Sequence, residues 1–364
     1  MAHYRYLVIL TGLFFPSLTY SQEPAMDFEK YDPVSTLVVP EHILTRAKFP
    51  FIDVHSHHWG MGTMDLKILV NPMDYMNMAV MVNLSGGNGD RLREMIKNVR
   101  ANFPDRFLVF ANVDFEGIGN EGWADKAAGQ LEEDVHNGAS GLKIFKSLGF
   151  RVTDSAGKRV PVDDPRIDPV WEKCAELGIP VLIHSADPAP FWDPHDEKNE
   201  RWLELKERPG RKRSDTDPVP WQQIIDEQHR VFRRHPQTTF INAHLGWYGH
   251  DLQKLGKLLD QMPNMYTEIG AVLAELGRQP RMARAFMIKY QDRILFGKDA
   301  WVPEEYFTYF RVLETADEYF DYYRKRHAFW KIYGLDLPDE VLKKIYYKNA
   351  LKIIPGIEES LFPD

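Results

Sequence analysis

The strongest constraint in this 364-residue chain is an alternation of short apolar runs with longer amphipathic ones. Short runs of β-branched and apolar residues read as buried strands, and longer runs with apolar residues three and four apart read as helices. Eight strands are predicted: Phe51–His57, Ala79–Leu84, Phe107–Val113, Gly141–Phe145, Pro180–His184, Thr239–His244, Met265–Ile269 and Ile294–Gly297. Helical patterns lie between them at Arg91–Asn102, Ala124–His136, Pro169–Leu177, Gln222–Arg234, Leu252–Gln261 and Pro280–Tyr290, whereas Asp65–Asn77 gives no clear pattern. Such alternation builds a parallel sheet. Phe51 to Trp301 spans 251 residues, against about 250 for a (β/α)8 barrel. An open doubly wound sheet would call for a glycine-rich phosphate loop after the first strand. Ser85–Gly89 is glycine-rich but follows the second strand and lacks that spacing. The expected fold is therefore α/β: a (β/α)8 TIM barrel with an N-terminal arm and a helical C-terminal extension.

Four segments make up the expected chain. Residues 1–21 carry Arg5, an apolar run from Tyr6 to Phe15, Pro16, and small residues Thr19 and Ser21, the pattern of a signal peptide. The apolar run is too short for a spanning helix, which needs about 20 residues. Export to the periplasm or outside is expected, with no transmembrane anchor after processing. Residues 22–48, with Pro24, Pro33 and Pro40, read as the arm; 49–355 as the barrel with its C-terminal helices; 356–364 as a tail. Two excursions interrupt the barrel. Arg151–Arg166 carries Ala156-Gly157 between alternating segments and reads as a hairpin. Ala189–Pro220 is long, charged and proline-bearing, and loops of that length in a compact domain are usually functional. The aromatic segment Tyr306–Trp330 either packs under the barrel or makes a subunit contact in a homo-oligomer.

Net charge is −8, which argues against a nucleic-acid partner. Cys174 is the only cysteine, so neither a disulfide nor a cysteine-rich zinc site can form within the chain. A metal would have to be held by His, Asp or Glu.

Those residues sit at strand ends. The first strand ends Asp53-Val54-His55-Ser56-His57, and side chains two apart on a strand face one way, so His55 and His57 can share one metal ion. The fifth strand ends in His184, the sixth in His244, and the eighth in Asp299. In a (β/α)8 barrel the C-terminal strand ends converge on the active-site face. Each residue alone has an ordinary explanation, such as a helix cap for Asp299; the ordered set does not. His58 points the other way, and His42, His136, His229, His235 and His327 read as solvated.

The motifs D-V-H-S-H (53–57), I-H-S (183–185), A-H-L-G (243–246) and F-G-K-D (296–299), with I-Y-Y-K-N-A (345–350) near the C-terminus, resemble the amidohydrolase superfamily. The resemblance covers roughly residues 49–355, and the nearest branch is the amidohydrolase-related group that contains aminocarboxymuconate-semialdehyde decarboxylase. It implies one or two divalent metals, commonly zinc, with His55, His57, His184 and Asp299 as ligands and His244 beside them, as a second-metal ligand or to polarise substrate. Lys298 stands where that family more often has a small residue. Some branches carry a carboxylated fourth-strand lysine, so Lys143 or Lys146 is a candidate for that role or for binding a substrate carboxylate; the plain alternative is a lysine whose stem packs and whose ammonium reaches water. Further substrate-binding candidates are Glu268, Asp187, Trp59 and Arg278, each as readily structural.

The chemistry expected of such a site is hydrolysis of an amide, lactone or ester in a small molecule. A metal lowers the pKa of water toward about 7, Asp299 serves as general acid and base, and His244 meets the developing oxyanion. Non-oxidative decarboxylation of a small carboxylic acid is the alternative, and a non-catalytic binding protein is a third reading. The aromatic and basic residues of the long excursion suggest an anionic or ring-bearing substrate.

Overall fold

The computed structural model describes Met1 and residues 25–363. The apolar run and cleavage site of the expected signal peptide, within residues 2–24, lie outside the described residues. The chain divides into two units, Met1–Val39 and Pro40–Asp364. In the first, a 3-10 turn at Phe28–Lys30 is capped by Asp27, whose carboxylate accepts from the Glu29 N–H at 3.1 Å. The second holds every strand described and takes in residues 40–48, the end of the expected arm.

Its strands are β1 (Phe51–Ser56), β2 (Met78–Asn83), β3 (Phe107–Val109), β4 (Ala111–Asn112), β5 (Leu142–Ile144), β6 (Val181–Ile183), β7 (Phe240–Asn242), β8 (Met265–Glu268) and β9 (Ile294–Leu295). All pair in parallel, β1 to β3 in one run and β4 to β9 in another. The two runs meet inside the third expected strand. There β3 pairs with β2, β4 pairs with β5, and Phe110 between them donates to the Asn83 carbonyl at 2.9 Å. Phe110 lies over Gly141, where a Cβ would sit 2.4 Å from its ring, so a side chain at 141 would displace it. At the other seam Val54 donates to Phe296 at 3.0 Å and Asp299 to His55 at 2.7 Å, and Ser56 bridges Asp299 in parallel. The first strand therefore stands beside the last, and the eight expected strands form the (β/α)8 barrel.

The six expected helices are present, with ends within two residues of those predicted. The unclear stretch before β2 is a helix, Lys67–Met76, with Leu69, Val70, Met73 and Met76 buried; Pro72 inside it and a start without a side-chain cap obscured the pattern. The hairpin forms: Thr153 bridges Arg159, Val160 donates to Val152, and Gly157 turns the chain with φ +74°. Ala189–Pro220 holds three short helical turns. Three of its cations are paired with acids: Arg201 with Glu204 and Glu275, Arg211 with Glu204, and Arg213 with Asp187. Within the basic run 208–213, Arg211 and Arg213 are thus paired with acids, and Lys212 bonds the Phe191 and Arg213 carbonyls.

The C-terminal aromatics pack against the start of β1. The helix Pro303–Glu314 buries Tyr306, Tyr309 and Phe310. Phe51 meets Phe296 at 4.8 Å and Phe310 at 5.5 Å, and Tyr346 completes the cluster. Each such side chain contributes about 1.5–3 kcal/mol by leaving water. No described helix is long and apolar enough to cross a membrane.

Candidate metal centre

Alternation along β1 sends His55 and His57 to one face, and the backbone seam with Asp299 carries that residue beside them. Nε2 of His55 lies 3.8 Å from Oδ1 of Asp299, and Nε2 of His57 lies 3.7 Å from the same oxygen. Among the described residues these three form one group whose ligand atoms all lie within 4.8 Å of one another. His55 is fully buried, while Asp299 leaves 37% of its side chain exposed. The carboxylate therefore faces the open side.

The remaining ring nitrogens are tied from behind. Nδ1 of His55 donates to Oε1 of Glu268 at 3.0 Å, which leaves the lone pair on Nε2, a buried atom without a partner. His57 pairs its Nδ1 with Ser85 Oγ at 2.8 Å. Nδ1 of His244 donates to the Gly270 carbonyl at 2.8 Å. Its Nε2 then accepts from Nδ1 of His184 at 3.3 Å, which leaves the buried Nε2 of His184 unpartnered. His55, His57 and Asp299 thus offer three ligand atoms to one divalent cation, and His184 Nε2 is a further buried nitrogen without a partner. Burial first, and then charged neighbours, push the pKa values of His57 and His184 well down, and burial brings His244 to about 4. Neutral imidazoles are the ligand form. Burial would raise the Asp299 carboxyl, but His55, His244, His57 and Lys143 outweigh it and hold the group ionised.

Backbone strain marks the same rim. Ala186, His244, Leu245, Trp247, Ala271 and Asp299 all have positive φ, and all follow β6, β7, β8 or β9. Non-glycine residues hold that conformation at a cost, and such positions cluster at functional sites.

Several expected residues stand elsewhere. Glu268 is no rim residue. Its buried carboxylate accepts from His55, from the His244 N–H at 2.6 Å and from the Gly270 N–H, so it orients histidines and has no oxygen left for substrate. His244 is enclosed, and with its bonds to Gly270 and His184 it has no free N–H for an oxyanion. Lys146 is bound to Asp187, which also holds Arg213. Arg278 forms a fork with Glu200 at 2.7 and 3.1 Å and covers the Trp330 ring. Lys298 turns away to Glu305 and the Ala300 carbonyl. His58 likewise turns off the site, bonding Ser56 and meeting the Trp301 ring.

Lys143 faces inward. Its ammonium is buried without a hydrogen-bond partner, 5.5 Å from the Phe145 ring, and burial lowers its pKa to about 7. Trp59 stays exposed beside His57. Of the histidines read as solvated, His229 and His235 are buried: His229 lies against Tyr248 and His235 on Asp168. Asp53 is a residue whose part the sequence did not disclose. Oδ1 accepts from the N–H groups of His55 and Lys298, and Oδ2 from the Tyr306 hydroxyl at 2.5 Å, which fastens β1 to the Asp299 segment.

Known proteins resemble this chain in family and fold. Residues 89–355 match the family described as amidohydrolase, a match that begins after β2 and so excludes His55 and His57. The comparison with curated proteins yields no match. Among solved structures, a TIM-barrel protein from Bordetella bronchiseptica aligns with TM-score 0.55 at 16% identity, covering 84% of this chain and 99% of that one. A 2,6-dihydroxybenzoate decarboxylase from Rhizobium gives 0.54 at 14% identity, covering 84% and 98%. A dihydroxybenzoic acid decarboxylase from Polaromonas, with bound manganese and 2-nitroresorcinol, gives 0.52 at 15% identity, covering 86% and 99%. These likenesses establish the fold, and the match over most of the barrel places the chain in the amidohydrolase family.

Proposed function

We propose that this chain is a metal-dependent hydrolase of a small molecule, acting on an amide, lactone or ester. The observation that carries the reading is the convergence of His55 Nε2, His57 Nε2 and Asp299 Oδ1, with the carboxylate the most open of the three side chains. His55, His57, His184 and Asp299 would hold the ion. Three nitrogens and one oxygen suit zinc, and manganese is a second choice. When bound, such an ion supplies Lewis acidity and lowers the pKa of water.

The chain's own residues do the rest. Glu268 and Ser85 fix the two β1 imidazoles, so their Nε2 atoms stay aimed at one point. The Asp299 carboxylate accepts a proton from the attacking water and returns it to the leaving group. Its left-handed backbone, φ +83°, is a conformation Asn also tolerates, so Asp299→Asn tests the role without unfolding the site. With the metal-loaded protein, a panel of lactones, aryl esters and amides should reveal turnover that Asp299→Asn lowers by about 10²–10⁴-fold. Turnover unchanged by Asp299→Asn would refute the assignment.

One observation favours decarboxylation as a second reading: the buried Lys143 ammonium is hydrogen-bonded to no anion. A substrate carboxylate would supply one. Release of CO2 from aromatic or enoic acids, without hydrolysis of any ester or lactone, would select this reading. Export is proposed on the residues of 1–21 alone. A mature protein that still begins at Met1 would refute it.

A further inference from the structure

The segments that follow β6, β7 and β8 enclose a cavity of about 390 Å³. Its walls include Pro188 and Pro190 after β6, Trp247 after β7 and Val272 after β8, together with Arg201 and Glu275. Trp247 joins this cavity to the candidate metal centre. Its ring stacks on His244 at 4.6 Å with 30° between planes and lies 5.7 Å from the His184 ring. Gly249 lets the chain approach Glu275 closely, since a Cβ there would sit 3.0 Å from the Glu275 Cβ.

Three residues of this lining each hold a buried polar atom with no hydrogen-bond partner: Glu275 Oε2, Arg201 Nε and Trp247 Nε1. Such atoms are few in a folded protein, and three around one cavity call for an explanation. Glu275 and Arg201 leave only 7% and 5% of their surface exposed. Their ion pair uses Glu275 Oε1 and Arg201 Nη2, while Arg201 Nη1 donates to Glu204 at 2.9 Å and to the His327 carbonyl at 3.1 Å. A second pair in the lining joins Arg278 to Glu200. The two cations of the lining are thus matched by two of its carboxylates, and the third acid, Asp193, is exposed to screening by water. What stays unmet is one acceptor and two donors. An anion would meet the donors and stand against the Glu275 carboxylate. An ammonium would meet Glu275, leave both donors unmet and face the Arg201 charge. A neutral group that both donates and accepts answers all three.

We infer that this cavity is a binding pocket for a neutral primary carboxamide on an apolar frame, with Glu275 accepting from its NH2 and Trp247 donating to its carbonyl. The prolines and Val272 supply the apolar contact for the frame. The pocket's part in turnover rests on the proposed function: the reacting bond sits at the metal, and the far end of the substrate sits beyond Trp247.

The test is calorimetric titration of the full chain, metal-loaded and metal-free, with cyclohexanecarboxamide, cyclohexanecarboxylate and cyclohexylmethylammonium, one saturated frame with a neutral, an anionic and a cationic head. A metal ion would itself attract the acid, so the metal-free arm decides for the pocket. There the carboxamide should bind about 10-fold tighter than either ion. Trp247→Phe keeps a ring against His244 and deletes the N–H, so carboxamide binding should weaken about 3- to 10-fold with the ammonium unchanged. Glu275→Gln keeps an oxygen for Arg201 and turns the free atom from acceptor to donor, so the preference should pass from the carboxamide to the carboxylate. A residue that only holds the fold would weaken all three probes alike. Equal binding of the three by the wild type, no binding of the carboxamide, or carboxamide binding unchanged by Trp247→Phe would overturn the inference, as would a folded Glu275→Gln that still prefers the amide to the acid. Should Glu275→Gln not fold, Trp247→Phe decides alone. Metal content of the loaded chain is read separately: failure to hold an ion fails the proposed function, while a preference lost with metal retained reads on the pocket alone.

Discussion

Glu268→Gln is the substitution that bears hardest on how this site is held. Its carboxylate is buried and takes three donors: His55 Nδ1 at 3.0 Å, the His244 N–H at 2.6 Å, and the Gly270 N–H. Burial would raise its pKa, but His55 first among its neighbours brings it down to about 2, so the group is an anion at neutral pH. Glutamine keeps the shape and loses both the charge and one acceptor. With its oxygen toward the histidines, the NH2 faces the Gly270 N–H, donor against donor. That orphaned pair costs about 1–3 kcal/mol. Replacing a charge-assisted by a neutral bond costs about 1 kcal/mol more for each of the two histidine donors. The reverse orientation is worse, since two donors then face the NH2. A loss of about 3–5 kcal/mol is expected, within the range for breaking a buried pair. The assay is urea unfolding of the metal-free protein, read by circular dichroism, together with metal titration of the folded variant. Metal affinity should fall about 10- to 100-fold, as is usual when the group behind a ligating histidine is removed. A variant within about 0.5 kcal/mol of wild type and equal in metal affinity would refute the claim that Glu268 orients the histidines.

Two further outcomes are expected. Gly297→Ala would place a methyl 2.4 Å from Glu268 Oε2 and 3.1 Å from His55 Cβ, so it should cost about 1–3 kcal/mol and weaken metal binding; Gly129→Ala, on an open helix position, should cost nothing. Burial, with Arg233 next, lowers the His229 pKa to about 4 from 6.5, so the unfolded chain takes up a proton that the folded chain refuses. Stability should be full above pH 6.5 and fall toward pH 4 with a slope of up to about 1.4 kcal/mol per unit, and His229→Leu should flatten that limb in pH-dependent urea midpoints; an unaltered slope would contradict the assignment.

The barrel was legible because strands buried on both faces read as continuous apolar runs, and because the hydrophobic period changes between strand and helix. The same burial hid direction. Met265–Glu268 is buried along its whole length, so nothing in its pattern separates a rim carboxylate from an interior one, and Glu268 read as a rim residue. Along β1, by contrast, the spacing of His55 and His57 on one strand was enough, because a two-residue period is local. Lys146 and Arg278 looked free because their acids, Asp187 and Glu200, are 41 and 78 residues away. His229 looked solvated on a helix rich in charge, but that helix turns Ile225, His229 and Phe232 inward together. The division of the third strand at Phe110 depends on Asn83, far off in sequence.

The central claim is that His55 and His57 hold a metal ion with Asp299. Metal analysis of the purified chain tests it most directly. The account predicts at least one divalent ion per wild-type chain, and its loss from a folded variant carrying both His55→Ala and His57→Ala. Equal metal content in the two proteins, or none in the wild type after incubation with zinc or manganese, would contradict it.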